Sequence, residues 1–129
     1  MAGPKGSKYY NVFLDYHILL NHQEKGNLVD EYKFTLLKSI QETGSLKAAA
    51  DKLGVSYRKA WGNVEAIEQG LGFKLLDRSR GGAHGGKTSL TAEGEKLLQA
   101  YQELRVEFDQ AIHKITKSFF HSINEIPNE

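Results

Sequence analysis

Apolar positions between residues 30 and 72 recur in three blocks, each with the spacing of one helix face. In the first block, Phe34, Leu37 and Ile40 share a side of a helix that Asp30 can cap. The other blocks repeat the pattern, with Leu46, Ala49, Ala50 and Leu53 in one and Ala60, Val64, Ile67 and Leu71 in the next. The pattern predicts three short amphipathic helices that turn their apolar faces toward a common core.

The residues between these blocks predict where each helix ends and the next begins. Gly44 ends the first helix, and Ser45 caps the second. Gly54 can take the left-handed conformation that stops the second helix, and Ser56 can cap the third. The small residues 48–50 let another helix cross closely. Short helices joined by a tight turn are typical of a helix-turn-helix unit, whose second helix usually enters the DNA major groove.

Alternation of period two marks the chain before the first helix. Between Val12 and Leu20, every second residue is apolar or aromatic: Val12, Leu14, Tyr16, Ile18 and Leu20. This alternation predicts a strand with these side chains on one face. The following HQEKGN segment predicts a loop.

A hairpin is expected after the third helix. Phe73–Leu76 predicts a short strand, residues 78–86 predict a flexible glycine-rich loop, and Lys87–Leu90 predicts the returning strand. Two strands around a basic glycine-rich tip make a β wing. Thr91 can then cap a long final helix.

These elements predict a mainly α protein with a small β wing, that is, a winged helix-turn-helix with a long C-terminal dimerisation helix. We expect residues 1–8 to form a flexible tail and residues 9–91 to form a winged helix-turn-helix DNA-binding domain. Residues 92–120 are expected to form the long helix, and residues 121–129 a second tail.

Composition narrows the class of protein. With 129 residues, 40% of them apolar, the chain is long enough for one domain with a core. It has no cysteine, which excludes disulfides and thiolate metal sites and fits a reducing cytoplasm. The N-terminal apolar run is broken by Asp15 and His17, is too short to span a bilayer, and does not resemble a signal peptide. We therefore expect a cytoplasmic protein without a membrane partner.

Charge is distributed unevenly along the chain. The net charge is only +1, but residues 45–87 carry eight basic and four acidic side chains, a net of +4 that leaves −3 for the remainder. A basic middle fits a local phosphate-binding face, although an ordinary solvated surface gives the same pattern.

Two segments resemble a known family. SIQETGSLKAAADKLGVSYRKAW, followed by LLDRSRGGAHGGKTSLTAEGEKLLQAY, resembles the DNA-binding domain of the ModE-type molybdenum-responsive regulators and, more distantly, the LysR-type winged helix. The resemblance covers residues 30–101 and implies a sequence-specific DNA-binding transcriptional regulator of molybdenum-related genes. Full-length members continue into molybdate-binding Mop-type domains, which we expect this chain to lack, so a ligand response is not carried over. The wing also departs from the family's more uniform glycine run at Ala83, His84 and Lys87.

The third helix provides the main candidates for DNA contact. Opposite its apolar face lie Arg58, Gly62, Glu65 and Ala66. Arg58 can donate two parallel bonds to guanine, whereas Lys59 and Ser56 are better suited to phosphate. Gly62 costs the helix stability, so it either allows close approach to DNA or is a tolerated surface glycine.

Other candidates have two interpretations each. Tyr57 and Trp61 border the two faces, and Trp61 is more suited to the core than to a base. Ser45 can contact phosphate as well as cap its helix. The basic wing can follow a minor groove or be only a hairpin tip. The predicted DNA-binding residues are Ser45, Lys47, Ser56, Tyr57, Arg58, Lys59, Gly62, Asn63, Arg78, Arg80, His84 and Lys87.

Neither enzymatic chemistry nor a cofactor is expected. Gly81 followed by Gly86-Lys87-Thr88 matches a phosphate-loop pattern, but RSR rather than a buried strand precedes it and a strand rather than a helix follows. The five histidines lack metal-ligand spacing, and no nucleophile has a positioned base. We expect no catalytic site, no metal, no cofactor and no small-molecule ligand in this chain.

The final helix predicts a dimer. Near-heptad spacing relates Leu97, Tyr101, Leu104, Phe108, Ile112, Ile115 and Phe119. A domain this small cannot bury the whole stripe, so a homodimer on double-stranded DNA is expected, unless the helix folds back on its own domain. The alternative function is a winged-helix protein–protein interaction module without DNA binding.

Overall fold

The computed structural model describes residue 6, residues 8–78 and residues 87–124. A hairpin of β1 (Leu20–His22) and β2 (Gly26–Val29) precedes three helices, α1 (Glu31–Thr43), α2 (Leu46–Leu53) and α3 (Tyr57–Leu71). The strands β3 (Leu76–Arg78) and β4 (Thr88–Leu90) follow, and then the helix α4 (Ala92–Ile123). The predicted fold class, mainly α with a small β wing and a long last helix, is confirmed.

Local capping sets the helix boundaries, as the sequence predicted. The side chains of Asp30, Ser45 and Ser56 each accept the backbone N–H three residues further on, at 3.0 Å. Gly44 and Gly54 end α1 and α2 in the left-handed conformation, both with φ near 70°. The helix-turn-helix therefore follows from interactions within a few residues of each turn.

The core lies between α1, α2, α3 and the beginning of α4. Each predicted apolar face points inward: Phe34, Leu37, Ile40, Ala49, Ala50, Ala60, Val64 and Ile67 are buried, and Leu53 and Leu71 are half-buried against them. Tyr101 of α4 stacks on Phe34 with ring centroids 3.5 Å apart, which fixes the start of α4 to this core.

The wing strands pair antiparallel, with Leu76 opposite Leu90 and Arg78 opposite Thr88. The first strand begins at Leu76, three residues later than Phe73, where the sequence predicted it. The physical reason is that Thr91, the residue that would lie opposite Leu75, caps α4 instead of continuing the partner strand. Thr91 caps α4 as predicted, accepting the N–H of Gly94 at 3.0 Å.

The predicted strand from Val12 to Leu20 is wrong. Only Leu20 belongs to a strand, and the expected HQEKGN loop instead forms the turn and part of both strands of the β1–β2 hairpin. Half-buried and exposed side chains still alternate from Leu14 to Leu20. The alternation in the sequence therefore corresponds to a segment with two faces, although this segment is not a strand. A strand also requires a partner with free hydrogen-bonding groups, and alternation does not specify one.

The chain divides into two compact units. The winged unit comprises residues 18–101, and the terminal unit comprises the described residues up to His17 and from Gln102 onward. Within the terminal unit, the N-terminal segment lies along the second half of α4. Tyr16 packs on Phe108 with ring centroids 5.7 Å apart and donates its O–H to Asp109, which together with burial raises the pKa of that phenol. Phe120 is buried beside Tyr9.

Candidate nucleic-acid interface

The outer face of α3 is open to solvent. Arg58, Lys59 and Gly62 are exposed, and Tyr57 is 46% exposed. Arg58 and Gly62 lie on the side away from Ala60 and Val64, both fully buried, so the orientation predicted from helical spacing is confirmed. Two basic side chains thus stand on a helix surface that the protein itself leaves uncovered.

Gly62 has no structural requirement within its own chain. A Cβ atom built on Gly62 would meet no other atom within 4 Å, and its backbone is ordinary helix. Alanine would therefore fit and would favour the helix by about 1 kcal/mol. The glycine leaves a shallow place in the middle of the exposed face, where another molecule's surface can approach the backbone.

Tyr32 of α1 borders this face on one side. Its hydroxyl donates to Oδ1 of Asn63 at 3.0 Å, and Nζ of Lys59 lies 5.8 Å from the centroid of its ring. Burial, and secondarily the nearby Asp30 carboxylate, raises the pKa of Tyr32, so its phenol stays a hydrogen-bond donor. Since Oδ1 of Asn63 accepts this bond, its NH₂ group is the one available to an outside acceptor.

Trp61 borders the face on the other side. It is half-buried against the core, and Cζ of Arg78 lies 3.6 Å from the centroid of its ring. The sequence favoured a core position for Trp61 but gave no sign of this stack. The two residues are far apart in sequence, and only the placement of β3 beside α3 brings them together.

In the sequence, Glu68 is only one of the four acidic residues between positions 45 and 87. In the structure it connects α3 to the wing. It is 7% exposed, and Oε2 accepts the N–H groups of Leu75 at 2.7 Å and Leu76 at 3.1 Å. Nζ of Lys74 lies 3.7 Å from Oε1. The sequence does contain one signal of this burial: Glu68 follows Val64 by four positions, so it shares the buried side of the helix.

The remaining predicted residues surround this centre. Ser45 is half-buried as the cap of α2, and Lys47, the second residue of that helix, is exposed. Ser56 is exposed at the start of α3, and Lys87 is exposed before β4. Arg80 and His84 lie outside the described residues.

The described part of the chain contains no group of three or more His, Asp or Glu side chains arranged to hold a metal ion. Thr88, the last residue of the phosphate-loop match, begins a strand, and α4 begins only at Ala92. A phosphate loop requires a helix at the lysine, so this geometry differs from it. No helix within the described ranges is long and apolar enough to cross a bilayer.

The predicted dimer stripe of α4 has two environments. Leu97 and Tyr101 pack against the core of the winged unit. Within the terminal unit Ile112 is half-buried, whereas Leu104, Phe108, Ile115 and Phe119 are exposed. The exposed members leave an apolar strip on the helix surface.

Three capped helices, a basic outer face on the third and a two-stranded wing define a winged helix-turn-helix domain. Residues 33–95 match the family described as "Bacterial regulatory helix-turn-helix protein, lysR family". This part of the chain is a LysR-type helix-turn-helix domain.

The chain is also similar to proteins named for transcriptional regulation and for molybdenum–pterin binding. The chain is 41% identical over 85 residues to the transcriptional regulator ModE of Haemophilus influenzae, covering 66% of this chain and 33% of that protein. It is 37% identical over 97 residues to the molybdenum-pterin-binding protein MopB of Rhodobacter capsulatus, covering 75% and 34%. The chain thus spans about a third of the length of these relatives. The resemblance to ModE-type regulators is confirmed.

Solved structures agree with this fold. The crystal structure of the CbnR_DBD-DNA complex superposes with a TM-score of 0.52 at 26% identity, covering 67% of this chain and 93% of that one.

Proposed function

We propose that this chain binds double-stranded DNA and regulates transcription, with α3 as the helix that enters the major groove. The observation that carries the proposal is the uncovered outer face of α3, where Arg58 and Lys59 flank the open surface at Gly62. A guanidinium there can read guanine, an ammonium can hold phosphate, and the glycine admits the duplex. The wing extends the same basic surface through Arg78 and Lys87.

Molybdenum-related genes are the proposed targets. The support is similarity to proteins named for transcriptional regulation and for molybdenum–pterin binding. The similarity lies in the helix-turn-helix part, so it concerns which DNA is bound and not a response to a ligand. A cytoplasmic location and the absence of enzymatic activity belong to the same proposal.

A homodimer is the proposed assembly. The exposed strip of Leu104, Phe108, Ile115 and Phe119 lies on one side of α4, as a helix-pairing surface requires. Two copies joined there would present two α3 helices to a two-fold-symmetric site.

A fluorescence anisotropy titration tests DNA binding. The chain is titrated against random duplex and against genomic fragments selected for binding, at several salt concentrations. Affinity should fall with increasing salt, because bound cations displace counterions from phosphates. Arg58→Ala should weaken binding to a selected fragment by about 1–3 kcal/mol, whereas Gln69→Ala, also exposed on α3, should leave it unchanged.

The alternative, a winged-helix protein–protein module, gives a different result. Such a module would bind neither duplex at low salt, and Arg58→Ala would have no DNA binding to weaken. Equal binding by wild type and Arg58→Ala would remove Arg58 from the interface while leaving DNA binding in place.

A further inference from the structure

Trp61 and Arg78 form a close pair at the junction between α3 and the wing. The guanidinium carbon lies 3.6 Å from the centroid of the indole ring, so the cation rests on the aromatic face. Such contacts hold an arginine through its planar surface. The pair lies beside the basic face of α3 without belonging to it.

The backbones of both residues are fixed by separate interactions. Trp61 lies within α3 and packs against the core. Arg78 ends β3, where it is paired with Thr88, and the start of β3 is held to α3 by the bonds from Leu75 and Leu76 to Glu68. The position of the guanidinium therefore results from rigid elements on both sides.

Stacking leaves the hydrogen-bonding edge of the guanidinium available. A guanidinium donates its N–H groups within its plane, whereas the ring occupies the surface above that plane. Arg78 is exposed, and no carboxylate in the described ranges lies within ion-pair distance of it. The in-plane donors are thus free to meet a phosphate, whose geometry they match.

We propose that Trp61 is a positioning residue for DNA binding, whose indole holds Arg78 so that its edge meets a backbone phosphate beside α3. The inference rests on the proposed function, since it specifies how the wing contributes to that interface. On the opposite border, Lys59 lies 5.8 Å from the Tyr32 ring, a looser contact made by an ammonium. Of these two contacts, the one at Trp61 is the closer, at 3.6 Å, and the one made by a planar donor.

A double-mutant cycle tests the coupling on a labelled random duplex. Arg78→Lys keeps the charge but loses the planar stack, and should weaken binding about two- to fivefold, as expected for an exposed cation–π pair. In a Trp61→Leu background, the same change should have no further effect. Arg58→Lys with Trp61→Leu is the matched control, and its effects should multiply independently.

Intrinsic fluorescence gives a second test that needs no DNA. Trp61 is the single tryptophan of the chain, so its emission reports only this site. Arg78→Lys should change the emission of the free protein, whereas Arg58→Lys should not. If thermal unfolding shows that Trp61→Leu does not fold, Trp61→Met, a larger apolar side chain without an aromatic face, takes its place in the cycle.

The outcomes separate the two proposals. If the wild type binds no duplex, the proposed function fails and this inference fails with it. If the wild type binds, but Arg78→Lys and the Trp61 substitution act independently or emission is unchanged by Arg78→Lys, only the role of Trp61 is overturned.

Discussion

The helical glycines Gly62 and Gly94 have opposite surroundings. A Cβ atom on Gly62 would meet open space, whereas one on Gly94 would lie 2.5 Å from the carbonyl oxygen of Leu75. The sequence shows three glycines within predicted helices, Gly62, Gly70 and Gly94, and gives no means of telling their surroundings apart. The surroundings of Gly62 and Gly94 predict that the same substitution has opposite effects on stability.

Gly62→Ala should stabilise the fold by about 1 kcal/mol, because alanine loses less backbone entropy in a helix. If the glycine admits the duplex, the same variant should bind DNA more weakly. Urea unfolding and anisotropy titration measure the two effects. Ala100→Gly, at an exposed helical position of α4, is the control: it should cost about 1 kcal/mol without changing DNA affinity. Undiminished binding by Gly62→Ala would show that Gly62 is only a tolerated surface glycine.

Gly94→Ala should destabilise the fold by roughly 1–3 kcal/mol, the usual range for overpacking. The neighbouring atom is a backbone oxygen, which cannot rotate away as a side chain can. Leu75 also accepts the N–H of Thr91 through that oxygen, so moving it would disturb the start of α4. Urea unfolding measures the loss of stability. A variant as stable as wild type would show that the backbone can shift without an energetic cost.

At the scale of elements, α3 and β3 are joined by one buried carboxylate. Glu68 supplies the acceptor for two backbone N–H groups that precede and begin the strand. Without it these donors would be left unpaired beside the core, and unpaired buried donors are costly. The wing therefore takes its place from a residue of the helix, not only from its own strand pairing.

Glu68→Ala should lower the free energy of unfolding by about 2–4 kcal/mol, because it removes hydrogen bonds to a charged group. Glu68→Gln keeps an acceptor oxygen and should cost less. Glu65→Ala, at an exposed position of the same helix, is the control and should change stability little. Chemical denaturation of the three variants compares them, and equal stability of Glu68→Ala and Glu65→Ala would contradict this role.

Which elements the sequence could predict depends on the range of the interactions that form them. The caps at Asp30, Ser45 and Ser56 act over three residues, so the helices and their turns could be predicted from the sequence. The β1–β2 hairpin could not be predicted, because the alternation over residues 12–20 indicates two faces but does not specify a partner strand. The Trp61–Arg78 stack and the Glu68 bonds join separate elements, so they follow only from the packed arrangement.

At the scale of the whole molecule, the proposed dimer predicts which exposed apolar residues matter. Ile115 and Val106 are both 54% exposed on the terminal-unit part of α4. At about 100° per residue they lie on opposite sides of the helix, with Ile115 in the strip shared with Leu104 and Phe108. Ile115 and Val106 therefore lie on different faces of α4 but are equally exposed to solvent.

Ile115→Asp should split the dimer, because it would bury a charge in the seam, and should also weaken DNA binding by removing the second linked half-site contact. Val106→Asp should leave the assembly intact. Sedimentation at micromolar concentration measures both variants beside the wild type. A wild type that already sediments as a monomer would overturn the dimer.

The segment around Tyr9 and Tyr16 and the helix surface that it covers are separated in sequence by residues 18–101. Contacts this distant form late, since closing a long loop costs more entropy than forming a helix turn. During synthesis, this segment, which includes Tyr10, Val12 and Phe13, leaves the ribosome before α4 does. Its apolar side chains are therefore exposed to water until α4 has been synthesised. Chaperones bind nascent apolar segments of this kind.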